Sequence, residues 1–389
     1  MYIFNPENDL ALANFTIYYT PPASAVKLAA DLSVLPLWYA PDQSLIVAHP
    51  PIDTEFVREI QQRFGLKSFV IPFSDIPVYF NRCIKPWGWS PLLKQRLKNI
   101  GIKEEQLPAP TDLELLRTYS NRKNAVNLLR ELKTEYPQFC GESFYFTTID
   151  QLLDYLSVTD GDQALKMPLS GSGRGLIWIL GEITDKQTDW ARRVVENQGG
   201  VVAEPKLERV QDFAMEFTAL NGAINFEGYS LFETAASGAY TGNVLMPDAD
   251  IENQLSEYVS IELLHQLRQS LLQKLTDYFP KYDGVLGVDM MICNTDDGYR
   301  LHPCVEVNMR MNMGMAAHRF YERFVCSGSK GHYRVDYFKK TGEALLHHQK
   351  MGVDFPLTIE NGKILSGYMS LTPVHEDTNY VAWVLINSV

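Results

Sequence analysis

The sequence predicts a mixed α/β (α+β) chain, with a parallel-sheet domain at its N-terminal end and antiparallel strand pairs further on. Three observations carry this. Short apolar runs alternate with helical patterns over residues 1 to about 107, as in strand–helix–strand units. Two strand-like runs, DFAMEFTAL from Asp212 and AINFEGYSLF from Ala223, stand side by side, and a second pair flanks Asp296-Asp297-Gly298. At 389 residues the chain is long enough for two or three domains.

The elements follow in order. YIF at the start, SLIVAHP near residue 44 and KSFVIPF near 67 read as strands, with a helix from Thr54 to Phe64 between the last two. NPENDLALAN, 5–14, follows the first strand; polar residues there either bind a ligand or cap the loop. LPAPTD, 107–112, has two prolines and a capping Thr-Asp pair, which marks a domain boundary and a helix start. A basic helical pattern runs from 112 to about 133, and a short helix spans 149–157 after Phe144 to Phe146. ALKMPL reads as a strand entering SGSGRG, and GLIWIL as a strand leaving it. GGVVAEP is a buried strand. Residues 260–279 form an amphipathic helix with Leu264, Leu267, Leu271, Leu275 and Tyr278 on one face. The last 60 residues or so read as two short helices and some strands.

Bulk composition excludes several classes. A chain 46% hydrophobic and 21% charged can bury a real core. A net charge of −12 disfavours general binding to nucleic acid or an anionic membrane, while leaving room for a small basic pocket. No run of ~18 apolar residues offers a membrane span. The opening MYIFNPENDL lacks a basic segment followed by an apolar one. The five cysteines include no CxxC pair, so reduced thiols in a cytoplasmic protein are expected rather than a disulfide or zinc framework.

Two segments carry chemistry. The first is ALKMPLSGSGRG, 164–175, a strand lysine followed by a glycine-rich loop and another strand. A P-loop or a dinucleotide fingerprint would open a helix instead. Taken alone, a flexible linker and a phosphate-holding loop both fit. The second is GVLGVDMMICNTDDGYRLHPCVEVNMRMNMG, 284–314. With Asp297 and Gly298 as the central turn residues, Asp289 faces Glu306 directly, and Asn308 shares that face. Two opposed carboxylates repel, and a divalent cation removes the conflict; two carboxylates and an amide oxygen suit Mg²⁺. The plainer alternative is that these side chains face water. The register depends on the turn, since a three-residue turn would swap the faces and a four-residue turn would make the pair diagonal. Arg310 projects to the same side if the strand continues, where its planar fork suits a phosphate or carboxylate, or a surface salt bridge.

The order of these features resembles the ATP-grasp superfamily of ATP-dependent carboxylate–amine ligases, over residues 112 to about 325. Lys166 with Ser170, Gly171, Ser172 and Gly173 looks like the family's lysine and the loop over the nucleotide phosphates. Glu204 with Lys206 and Leu207 resembles the hinge that contacts adenine, and Asp212 the acid that holds the ribose. Asp289, Glu306 and Asn308 match the magnesium triad, and Arg310 the arginine of the Glu-x-Asn-x-Arg variant. SNRKNAVNLL resembles the segment that supplies a first phosphate-binding cation, here either Arg122 or Lys123. Where some members carry an arginine two residues before the first metal acid, this chain has Gly287, so substrate analogy with them is in doubt. Arg174 has no assigned role.

The resemblance implies an N-terminal α/β domain (1–110), an ATP-grasp domain of two α+β subdomains sandwiching the nucleotide (111–325, lid about 120–205) and a C-terminal extension on the core (326–389). It implies ATP and Mg²⁺, or Mn²⁺ in its place, and small-molecule carboxylate and amine substrates. A carboxylate would attack the γ-phosphate, and an amine would displace phosphate from the acyl phosphate, with Lys166 and Arg310 as catalytic cations. A phosphotransferase and a non-catalytic nucleotide-binding protein are the alternatives. A homodimer is the prior expectation for the assembly.

Overall fold

The computed structural model describes residues 1–171, 175–234 and 240–388. Ser172, Gly173 and Arg174 therefore lie outside the described residues.

The N-terminal part holds four strands, β1 (Tyr2–Ile3), β2 (Leu45–Ala48), β3 (Phe69–Pro72) and β4 (Lys85–Pro86). They form one sheet in the order β3-β2-β1-β4, and all three pairings are parallel. Its helices are α1 (Asn8–Asn14), α2 (Ala23–Asp31), α3 (Thr54–Phe64) and α4 (Pro91–Asn99). Asp53 caps α3 by accepting from the Phe56 N–H, and Gly65 ends it at φ 65°. The expected 112–133 helix is two helices, α5 (Pro110–Tyr119) and α6 (Lys123–Glu135). Asn124 breaks the run by donating to the Thr118 and Tyr119 carbonyls, which a continuous helix would occupy with backbone N–H groups.

A second four-stranded sheet contains β5 (Phe144–Phe146), β6 (Gln163–Lys166), β7 (Leu176–Ile179) and β8 (Val201–Pro205), in the order β5-β8-β6-β7. Its pairings are antiparallel, and α7 (Ile149–Val158) and α8 (Asp185–Gln198) belong to the same stretch of chain.

The remaining strands form one nine-stranded sheet. They are β9 (Glu208–Leu220), β10 (Ala223–Thr234), β11 (Tyr240–Leu245), β12 (Gly284–Thr295), β13 (Gly298–Asn308), β14 (Lys330–Tyr337), β15 (Thr358–Glu360), β16 (Lys363–Ser370) and β17 (Tyr380–Asn387). The order is β13-β12-β9-β10-β11-β14-β17-β16-β15, so the last four strands continue the central sheet. The helices of this part are α9 (Asp248–Leu255), α10 (Ile261–Tyr278), α11 (Met313–Phe324) and α12 (Glu343–Asp354). After residue 330 there is one helix, α12, where two short ones were expected. The last strand, β17, is a continuous apolar run, YVAWVLI, with Val381, Ala382, Val384 and Ile386 buried in the sheet, and carries no helical spacing.

The period-two alternation of β9 and β12 decides where chemistry can sit. Phe213, Met215, Phe217, Leu286, Val288, Met290 and Ile292 point to one face and share a core with Leu264, Leu267, Leu271 and Leu275 of α10. Asp212, Ala214 and Glu216, paired with Met291, Asp289 and Gly287, point to the other. Burying seven large apolar side chains on one face leaves the opposite face free to carry acids.

The β12–β13 hairpin corrects the expected turn. Thr295 pairs with Gly298, so Asp296 and Asp297 are the central residues. Neither has positive φ, whereas Gly298 sits at φ 96°. The left-handed position falls one residue later than expected because glycine adopts it without the steric cost an aspartate bears. That register alone would misalign the acids by two residues. A bulge between Asp289 and Met291 restores it: three residues, Pro303 to Val305, lie opposite Met290, and Asp289 pairs with Glu306 after all. Pro303 has no N–H to give the ladder, and β13 is an edge strand, where such a break is tolerated.

Candidate functional site

The acidic hairpin forms the floor of the site. Asp289, Glu306 and Asn308 share a face, and Asn308 donates its amide to Asp289 Oδ2 at 3.0 Å. Burial pushes the Asp289 carboxyl well above the usual range, and the nearby Glu306 and Glu216 charges push it further. Glu306 has a partner from another element, with Arg122 Nη2 2.8 Å from its Oε1. Among the described residues no three His, Cys, Asp or Glu side chains gather as a metal-holding group. The set here is two carboxylates and an amide. It fits a hard divalent cation, because opposed carboxylates with a carboxyl forced toward its neutral form are what such a charge relieves. A half-turn of the Asn308 amide would present its oxygen.

Arg122 and Lys123 are now distinguishable by position. Arg122 is the N-cap residue just before α6, donates through Nε to the Met167 carbonyl at 3.0 Å and through Nη2 to Ser170 Oγ at 3.2 Å, and reaches Glu306. It therefore touches both the glycine loop and the acidic floor. Lys123 points elsewhere, its ammonium 5.6 Å from the centre of the Tyr145 ring.

Lys166 ends β6, and its ammonium is paired with Glu204 of β8 in a buried salt bridge. The ladder explains this: Ala164 pairs with Glu204 and Lys166 with Val202, so the two side chains are diagonal neighbours on one face. Ser143 Oγ donates to the other Glu204 oxygen at 3.0 Å. Burial pushes the Glu204 carboxyl up, but Lys166, His302 and Ser143 together hold it below the usual range. His302, left without a role by its sequence, packs beside this pair; burial drives it down to about 4, so it stays neutral near pH 7.

The residues expected at the hinge, Lys206 and Leu207, lie just after β8. Lys206 gives its backbone N–H to the Asp162 carbonyl at 2.9 Å and its ammonium to the Asp162 carboxylate at 3.0 Å. Leu207 is half-buried beside it. Asp212, on the acidic face of β9, accepts from Arg209 and Thr234, each at 3.0 Å, and burial still raises its carboxyl above the usual range.

Arg310 lies beyond the end of β13, so the condition that the strand continue fails. It reaches the site nonetheless. Its Nε is 2.8 and 2.7 Å from the two oxygens of Asp9, and Nη1 donates to the Met311 carbonyl. Burial works against the Arg310 charge, but Asp9, Glu306 and Asp289 more than restore it. Asp9 also touches the glycine loop: a Cβ on Gly171 would stand 2.3 Å from Asp9 Oδ2. Gly171 is thus required here for close approach. Alanine at this position should cut turnover by about 10²-fold with little change in melting temperature, because a loop lifted by about an ångström misplaces whatever it covers. Steady-state kinetics beside a thermal melt checks this.

Sequence reasoning missed two acids. Asp9 is 301 residues from Arg310, and no local signal joins them. Glu216 was legible in principle, since it follows Asp212 at even spacing on one strand. It is almost fully buried, accepts from Asn312 Nδ2 at 2.7 Å and packs against Gly287 and Gly314. Burial raises its carboxyl to about 7. A raised acid stabilises the fold below its unfolded value near 4.5, and that contribution is lost as pH rises through about 7. Glu216→Gln keeps the group neutral and keeps the Asn312 bond. Its melting temperature should therefore gain on the parent's between pH 4.5 and 8, by the equivalent of about 3 kcal/mol. A gap independent of pH would refute this.

No protein-family model matches the chain, and no curated protein sequence matches it. Solved structures do. A biotin carboxylase–β,γ-ATP complex from Campylobacter jejuni superposes with a TM-score of 0.51 at 10% identity, covering 100% of this chain and 87% of that one. The chain has the ATP-grasp fold. An ADP complex of N5-carboxyaminoimidazole ribonucleotide synthetase gives a TM-score of 0.49 at 11% identity, over 100% of this chain and 92% of that one. An L-amino acid ligase from Bacillus licheniformis gives 0.42 at 12%, over 86% and 90%. The assignment rests on the first. In this fold the parallel-sheet part, the small antiparallel sheet and the central sheet meet around the acidic hairpin: Asp9, Ser170, Glu306, Asn308 and Arg310 line one cavity of about 20 Å³. No helix among the described residues is long and apolar enough to cross a membrane.

Proposed function

We propose that this chain is an ATP- and Mg²⁺-dependent ligase that activates a carboxylate as an acyl phosphate and joins it to an amine. One observation carries the reading. Two cations from separate elements, Arg122 and Arg310, flank a paired-carboxylate floor on the ATP-grasp fold, a third, Lys166, ends the strand that leads into the glycine loop, and each has an acid as its present partner. Phosphoryl transfer needs that distribution, because catalysis there is charge neutralisation and in-line placement rather than covalent help from the protein.

Asp289, Glu306 and Asn308 would hold the cation, which supplies Lewis-acid stabilisation of the transferring phosphoryl group. Arg122 is placed to exchange Glu306 for a phosphate oxygen without leaving the site, since it already bridges the floor and Ser170. Lys166, at the end of the strand that enters the loop, would supply a second phosphate contact. The Glu204 carboxylate is satisfied by Lys166 and Ser143 and the Lys206 N–H by Asp162, which leaves the Lys206 carbonyl and the Leu207 backbone for the purine edge and Asp212 for the ribose. Arg310 would hold the substrate carboxylate and the acyl phosphate formed from it. Ser170, which lines the cavity at Arg310, and Gly171 would cover that position and exclude water, which would otherwise hydrolyse the intermediate.

A phosphate-release screen with ATP and Mg²⁺ against carboxylates paired with amines tests this. A ligase releases inorganic phosphate with a condensed product. A phosphorylated product that accumulates would favour a phosphotransferase. ATP binding with no phosphate release across the panel would sink both.

A further inference from the structure

The partner of Arg310 defines what kind of carboxylate the site takes. Arg310 and Asp9 form a shielded pair, with their side chains 14% and 19% exposed, and Asp9 has no second cationic partner among the described residues. A simple carboxylate arriving at Arg310 would neutralise the arginine and strand Asp9 as an uncompensated, largely buried charge. A molecule carrying a cation next to its carboxylate avoids this, because it replaces both partners at once.

Independent polar atoms point the same way. Asn8 gives its amide nitrogen to Asp9 Oδ1 at 3.0 Å, and its own oxygen is buried with no hydrogen-bond partner among the described residues. Glu7 next to it pairs with Arg96 through one oxygen, and the other oxygen is likewise buried without a partner. The atoms left over on this turn are acceptors. Neither Glu7 nor Asn8 lines the cavity at the pair; Asp9 does, and its carboxylate, accepting from Asn8 through one oxygen, suits an ammonium with its three N–H groups and no acceptor.

We infer that the activated carboxylate belongs to an α-amino acid, with Arg310 holding its carboxylate and Asp9, fixed by the Asn8 amide, holding its ammonium. This rests on the ligase reading above. The cavity at the pair is about 20 Å³, roughly one water, so the amino acid enters as the Asp9–Arg310 contact opens and the Ser170–Gly171 segment lifts. The ammonium bound by Asp9 keeps its protons. Only the carboxylate reacts, attacking the γ-phosphate and releasing ADP.

Hydroxylamine tests this without knowledge of the natural amine, because it captures an acyl phosphate as a hydroxamate with loss of phosphate. The full chain, ATP, Mg²⁺ and hydroxylamine are combined with the L-amino acids, their N-acetyl derivatives and their des-amino counterparts. Hydroxamate and phosphate from at least one free amino acid are expected, with kcat/KM at least about 10²-fold above its N-acetyl and des-amino analogues. Equal efficiency with those analogues would overturn the inference and leave the ligase reading standing. No hydroxamate from any of these would overturn the inference, and the phosphate-release screen over other carboxylates then decides the ligase reading. Asp9→Asn should lower the preference for the free amino acid over its des-amino analogue about tenfold or more. An unchanged preference would show that Asp9 merely holds Arg310, and would overturn the inference. If that variant does not fold, the N-acetyl comparison on the unaltered chain still decides.

Discussion

Glu306→Gln should lower Mg²⁺-dependent turnover on the order of 10³-fold while leaving the fold intact. Two effects combine. The cation loses one of its two carboxylates, and Arg122, 2.8 Å away, loses the charge that holds it over the floor. The fold should tolerate the change because Glu306 is half-buried on an edge strand and the amide keeps the shape of the carboxylate. Asp289 should benefit, since a neighbouring charge that raises its carboxyl is removed. The measurement is turnover against Mg²⁺ concentration, beside a thermal melt. Near-normal turnover at ordinary Mg²⁺ would remove Glu306 from the metal set.

Lys166→Ala should weaken ATP binding about 10²-fold and also destabilise the protein, and these two effects can be separated. Its ammonium is buried against Glu204, so truncation strands a buried carboxylate, a loss of about 3–5 kcal/mol in comparable pairs. Adding Glu204→Gln removes the stranded charge. The double variant should regain most of the lost melting temperature and none of the lost ATP affinity. Titration of ATP by calorimetry and a thermal melt on the two single variants and the double close the cycle. Unchanged affinity in Lys166→Ala would take this lysine out of the nucleotide site. Recovery of affinity in the double variant would show that Lys166 acts through Glu204.

Much of the central site was legible because its residues are close in sequence or related by strand periodicity. Asp289, Glu306 and Asn308 fall within 20 residues of hairpin, where alternation alone says which side chains share a face. The details were less secure than the outcome. The turn falls at Asp296–Asp297 instead of Asp297–Gly298, and the bulge at Pro303–Val305 shifts the register back by the same two residues. Arg310 reaches the floor although β13 stops two residues before it. The choice between Arg122 and Lys123 had no local answer, since adjacent residues at a helix start diverge by roughly 100° and only the neighbouring loop selects one.

The sequence by itself determined the α/β character of the chain, the order of its chemical segments and the alternation that sets an acidic face against an apolar one. Those are local properties, governed by side-chain periods of 2 and 3.6 residues and by glycine and proline at turns. Tertiary structure alone decided which charges neutralise one another. Asp9 meets Arg310 across 301 residues, Arg122 meets Glu306 across 184, and Lys166 meets Glu204 across 38. The first two pairs are set by how separate parts of the chain dock and the third by the pairing of β6 with β8, because a buried charge takes whatever opposite charge the packing brings within reach.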